Sequence, residues 1–96
     1  MIVVIGKLLL QPGAAAQVEE ALKVAIPKSR ADDGCLSYVF AWDIENPHLI
    51  RFTERWRDLP SLDAHNAQPH MAEFQAAAGP YLAAAPDIVI YQVNEA

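Results

Sequence analysis

The sequence is poor in the residues that mark several familiar protein classes. Cys35 is its one cysteine, so an intrachain disulfide and a thiolate metal cluster are both excluded. Lysine and arginine number seven against twelve aspartates and glutamates, a formal charge of −5. Nucleic-acid binding draws on clustered basic side chains, and here they are scattered, so that class falls away. No apolar run approaches the ~20 residues of a membrane span. The start, MIVVIGKLLL, is apolar but lacks the basic leading region and the length of a signal peptide, and a cytoplasmic address is expected by default. Neither a glycine-rich phosphate loop nor a Gly-x-Ser-x-Gly elbow occurs, which leaves nucleotide cofactors and serine hydrolysis without support.

What is abundant is apolar surface. Hydrophobic residues make up 53% of the chain and charged ones 20%, an excess over ordinary soluble domains. A chain of 96 residues withdraws only about two-thirds of its unfolded surface when it folds. Residues 1–96 therefore read as one small domain that gains from a partner subunit, and a homodimer is expected.

The chain is punctuated into elements. Residues 2–10 are apolar at both parities, as in a strand covered on both faces, and Gln11-Pro12-Gly13 ends it. Val18, Leu22 and Ile26 recur every four residues, which predicts an amphipathic helix. Pro27 leaves its end open: the helix either stops near Ile26 or continues kinked to about Arg30. Asp32-Asp33-Gly34 makes a turn. Residues 35–43 alternate, with Leu36, Tyr38, Phe40 and Trp42 on one face. Glu45-Asn46-Pro47 turns the chain into a second alternating run, His48 to Arg57, with Ile50, Phe52, Glu54 and Trp56 on one side. Arg51, Thr53 and Arg55 fall on the other side, where they either pair with acids such as Asp43 or Glu45 or line a polar cavity. Asp58 is an N-cap with Pro60 in the first turn of a short helix to about Asn66. Gln68-Pro69 opens another, with the stripe His70, Phe74, Ala77 and Tyr81. Residues 87–93 close the chain as a strand.

The order β-α-β-β-α-β predicts an α+β fold of ferredoxin-like type, an antiparallel sheet with its helices on one face. The opposite face needs a cover, and the simplest is the same face of a second copy.

Several segments carry a family likeness. Gln11-Pro12-Gly13, Asp33-Gly34-Cys35-Leu36-Ser37-Tyr38, Glu54-Arg55-Trp56, Leu62-Asp63-Ala64-His65, and Pro69-His70 with Phe74 together resemble the antibiotic biosynthesis monooxygenase (ABM) family across nearly the whole chain. The resemblance implies a dimeric α+β barrel with a cavity between sheet and helices. It also implies oxidation of anthrones or hydroquinones to quinones by dioxygen, without metal or flavin. A haem-degrading branch is similar in outline but relies on an asparagine in the first strand and a histidine late in the second helical region. Gly6 and about Gln75 occupy those positions here, which disfavours haem.

Glu54 and Trp56 share a strand face, and a buried carboxylate there needs a partner. His65, on the side of its helix that meets the sheet, is the candidate. The pair reads either as an imidazole held ready as a base or as a structural bond tying helix to sheet. His70 lies on the same stripe as Phe74 and reads either as a satisfied core histidine or as a second base, since histidine titrates near neutrality. The five-residue spacing of His65 and His70 spans a proline break and departs from the i,i+4 geometry of helical metal sites, so no metal is expected. Tyr38, Trp42, Trp56, Phe52 and Phe74 are candidate walls for a flat aromatic substrate, or core packing.

Three functions remain in play. The first is a cofactor-free oxygenase acting on a small aromatic, with His65, His70 and Glu54 as its acid-base groups. The second is a non-catalytic binding or stress-associated dimer, and the third an isomerase, by analogy of fold alone.

Overall fold

The computed structural model describes residues 1–95. Its elements run β1 (Ile2–Leu9), α1 (Ala15–Arg30), β2 (Cys35–Trp42), β3 (Leu49–Trp56), α2 (Leu59–Asn66), α3 (Pro69–Ala78) and β4 (Asp87–Gln92), with a 3-10 turn at Gly79–Tyr81. The strands form one antiparallel sheet in the order β2-β3-β1-β4. That order is the ferredoxin-like α+β arrangement expected from the element sequence. The tight turn forces β3 beside β2, whereas the helical crossovers let β1 and β4 take more distant places.

One sheet face is covered by the helices. Ile2, Val4 and Leu8 of β1, Tyr38 of β2, and Ile50, Phe52 and Trp56 of β3 pack with Val18 and Leu22 of α1, Leu62 of α2 and Ala78 of α3. Burying each large apolar side chain is worth roughly 1.5–3 kcal/mol, so the strict alternation along β1 and β3 fixes which face turns inward. The Asp43 carboxylate accepts from the backbone N–H groups of Glu45 (2.7 Å) and Asn46 (3.0 Å) and shapes the β2–β3 turn. At the start of α2, Asp58 accepts from the Ser61 N–H (2.9 Å), the cap read from the sequence.

Three local expectations are resolved or corrected. Helix α1 runs through Pro27 to Arg30. A mid-helix proline is unfavourable by roughly 3 kcal/mol, and tertiary contacts offset it: Ser29 is fully buried, and Arg30 Nε donates to the Tyr38 carbonyl at 3.0 Å. In β2, Cys35 pairs with Trp56 and Ser37 with Arg55, so a bulge at Leu36 resets the parity. Leu36 is consequently exposed, not on the face of Tyr38, and Cys35 packs against the core instead. On α3, Ala78, four residues past Phe74, is buried, whereas Ala77 is exposed and borders an open groove with His70, Phe74 and Ala21 of α1.

The sheet's second face stands open. Val39, Thr53, Ile5 and Val89 form a row across all four strands, and its three aliphatic members are about half exposed. Arg51 and Arg55 on this face pair with Asp43 (2.6 Å) and Glu95 (3.7 Å), which accounts for the polar stripe of β3.

Candidate functional site

A cavity of about 210 Å³ lies between the covered sheet face and helices α2 and α3. Tyr38, Phe40, Phe52 and Phe74 supply aromatic walls, and Val4, Leu8 and Leu62 add aliphatic ones. Phe40 and Phe52 stack with their rings 4.7 Å apart. Ile88 and Ile90 of the edge strand complete the lining and are half exposed, so the cavity opens toward β4. Glu54 is the carboxyl group on its wall, and Asn66 and Gln75 bring amide groups.

Glu54 stands on β3 between Phe52 and Trp56, which turns all three inward. Its Oε1 accepts from the Trp56 indole N–H at 2.9 Å. Removal from water pushes the carboxyl's pKa above its ordinary value, against the Trp56 bond, which acts to lower it. Burial, and next the charge of Glu54, push the Tyr38 phenol up to about 12.

Behind Glu54 lies His65, almost wholly buried on α2. Its Nε2 is 4.0 Å from Glu54 Oε1, while Nδ1 meets Asp32 Oδ2 at 2.7 Å. Its ring lies over Trp56 with centroids 4.5 Å apart and meets the edge of Tyr38 at 5.4 Å. His70 Nε2 reaches the same Asp32 oxygen at 2.9 Å. Burial lowers the pKa of His65, and the Asp32 carboxylate opposes that shift.

The sequence model of the antibiotic biosynthesis monooxygenase family matches residues 1–77. The chain belongs to the antibiotic biosynthesis monooxygenase family. A Mycobacterium tuberculosis protein, Rv0793, provisionally named a monooxygenase, is 32% identical over 81 residues, covering 84% of this chain and 79% of that one. An uncharacterised Synechocystis protein, sll1783, is 32% identical over 94 residues, 98% of this chain, which spans 64% of that relative's length. Among solved structures, Rv0793 superposes with a TM-score of 0.90 at 25% identity, covering 99% of this chain and 96% of its own. A conserved Methanosarcina mazei protein superposes with a TM-score of 0.92 at 27% identity, covering 97% and 92% respectively.

In this ABM protein the residues singled out from the sequence separate into groups. Glu54, Tyr38, Phe52 and Phe74 line the cavity. Trp56 is fully buried and orients Glu54 and His65. Trp42 lies away from the cavity at the sheet edge, where its indole N–H donates to Glu19 at 2.8 Å. His65 and His70 are brought together, but neither is among the residues that line the cavity. Glu54 Oε1 and His65 Nε2 stand 4.0 Å apart, beyond hydrogen-bonding range, and the short hydrogen bond of His65 goes to Asp32 instead.

Asp32 escaped sequence reading because it sits in what looks like an ordinary turn, 33 residues before His65. Its acid in front of the Gly34-Cys35 turn was the available signal. Asn66, Met71 and Gln75 also line the cavity from helix positions that periodicity leaves undistinguished.

Asp32, His65 and His70 are metal-ligand types with donor atoms within 4.8 Å of one another. Ligands of one tetrahedral ion with bonds near 2.05 Å stand about 3.3 Å apart. The Asp32 oxygen is nearer than that to both rings, so the trio has hydrogen-bond spacing rather than coordination spacing. The haem reading also fits poorly. Gly6, where the haem-degrading branch has asparagine, lies against the Phe52 ring with no room for a Cβ.

Proposed function

We propose that this ABM protein is a cytoplasmic homodimer that oxidises a small, electron-rich aromatic of quinol type with dioxygen, using no resident metal, haem or flavin. The observation that carries the reading is an aromatic-walled cavity with a single carboxyl, Glu54, whose proton affinity is raised by burial. Family membership and the name of the M. tuberculosis relative support oxygenase chemistry. The cavity volume is below the ~300–1,000 Å³ of sites for drug-sized ligands, which favours a one-ring quinol over a polycyclic anthrone.

In this reading Glu54 takes a phenolic proton, and the resulting phenolate, richer in electrons, passes one to dioxygen. For a hydroquinone the balance closes as quinol plus O2 giving hydroxyquinone plus water. The ring loses four electrons and O2 gains them, with one oxygen atom going to the product and one to water. The protein's own contribution is to hold the ring between Phe40, Phe52 and Phe74, exclude water and place the carboxyl. As the group on the cavity wall, Glu54 is the catalytic residue; His65 and His70 act through other groups.

The test is oxygen consumption with a panel of quinols and anthrones. One O2 consumed per substrate is expected, and Glu54→Gln lowers kcat by ~10²–10⁴, the range of general acid-base catalysis. A wild-type protein inert toward the panel rejects the reading. The position of both histidines outside the cavity lining favours a second reading, a binding dimer without chemistry. Quenching of Trp56 fluorescence by a quinol without oxygen uptake would support that alternative.

A further inference from the structure

Glu54 can act repeatedly only if the proton it accepts has somewhere to go, and the structure supplies a receiver. His65 Nε2 is buried and has no hydrogen-bond partner among the described residues, and it faces Glu54 Oε1 at 4.0 Å. The opposite nitrogen is engaged: Nδ1 meets Asp32 Oδ2 at 2.7 Å. A carboxylate only accepts, so the N–H stands on Nδ1 and the lone pair on Nε2 is turned toward Glu54. Trp56 on one side and Tyr38 on the other hold the ring in that orientation.

We propose that Glu54, His65 and Asp32 form a proton-storing triad, in which His65 Nε2 receives the proton that Glu54 removes from the substrate and Asp32 is the positioning residue. The triad rests on the oxidation reading above. The substrate O–H bond breaks as a carboxyl O–H forms on Glu54; that bond then breaks as N–H forms at Nε2. A carboxyl movement of about 1 Å brings 4.0 Å into hydrogen-bonding range. The imidazolium so formed lies between two carboxylates, which favour its charge. The proton returns through Glu54 to the oxygen atom that leaves as water, which closes the balance. His70, donating to the same Asp32 oxygen at 2.9 Å, fixes that carboxylate from the α3 side.

Burial raises the proton affinity of Glu54 and lowers that of His65. The Asp32 carboxylate opposes the second shift and so favours arrival of a proton at His65. The groups that face His65 are Asp32 from the α1–β2 turn, Tyr38 from β2, Glu54 from β3 and His70 from α3. Asp33, Arg57 and Asp58 border the outer groove that His65 and Asp32 share.

Histidine ring ¹⁵N spectra of the intact protein test the triad, because His48, on the exposed β2–β3 turn, serves as an internal control beside His65 and His70. The wild type should show His65 with its proton on Nδ1 at pH 8. Its titration midpoint should be lower in both Asp32→Asn and Glu54→Gln, with His48 unmoved. Asp32→Glu should restore the midpoint in part, which separates charge from loop geometry. In oxygen uptake, Asp32→Asn should lower kcat about 10–100-fold at unchanged KM. A His65 midpoint that Glu54→Gln leaves in place overturns the triad, and so does one indifferent to Asp32→Asn. If the wild type consumes no oxygen, the oxidation reading fails, and the ring titrations decide the triad by themselves.

Discussion

The ring of Phe52 lies over the backbone of Gly6, its partner across β1 and β3, so closely that a Cβ on Gly6 would fall 2.6 Å from both ring Cε atoms and nearer still to Cζ. The missing side chain is thus what lets an aromatic wall of the cavity lie flat. Gly6→Ala should tip the ring into the cavity and destabilise the fold by roughly 1–3 kcal/mol, as overpacking does. Urea unfolding measures the loss of stability, and weaker quinol binding reports the tipped ring. A variant matching wild type in both would mean that the ring has room to move.

Gly34 is constrained twice. Its φ of +82° is one that L side chains rarely adopt, and a Cβ there would sit 2.5 Å from Ser61 Cβ. The left-handed backbone alone makes alanine unfavourable by ~1–2 kcal/mol, and the contact adds to it. Gly34→Ala should therefore destabilise by at least that amount and loosen the join between the α1–β2 turn and α2. Thermal unfolding checks the first effect. Faster backbone amide exchange at Ser61 and Leu62 checks the second.

Glu54 should weaken the fold at neutral pH. Because burial raises its pKa, the folded state binds more protons than the unfolded one from the ordinary value of 4.5 upward, so stability falls as pH rises through that window. Glutamine keeps an oxygen for the Trp56 N–H and carries no charge. The stability difference between Glu54→Gln and wild type should therefore shift in the variant's favour from pH 4 to pH 8, as measured by urea midpoints. His65 works in the opposite sense: with its pKa lowered from 6.5, it removes stability as pH falls through that value. A Glu54→Gln difference independent of pH would show that the carboxyl is solvated.

Ile5 lies at the middle of the open sheet face, between Thr53 and Val89. If a second copy covers this face, Ile5→Lys puts a charge at the centre of the interface and should weaken dimerisation at least tenfold, ~1.4 kcal/mol. Sedimentation at micromolar concentration should give a dimer for wild type and a monomer for the variant. A monomeric wild type would reject the dimer and require another cover for Val39, Ile5 and Val89.

The sequence by itself determined the elements, their order and the covered face. Those depend on local rules: alternation along Ile50, Phe52, Glu54 and Trp56, fourfold recurrence of Val18, Leu22 and Ile26, and the Asp58 cap with Pro60 behind it. It also brought Glu54, Trp56 and His65 together as neighbours. Only the tertiary structure decided that Asp32, and not Glu54, makes the short bond to His65, that both histidines lie behind the cavity wall, and that α1 passes through Pro27. Each of these depends on contacts between residues far apart in the chain. Their distances follow from sheet register, a bulge at Leu36 and the seating of the crossover helices, and no local periodicity encodes them.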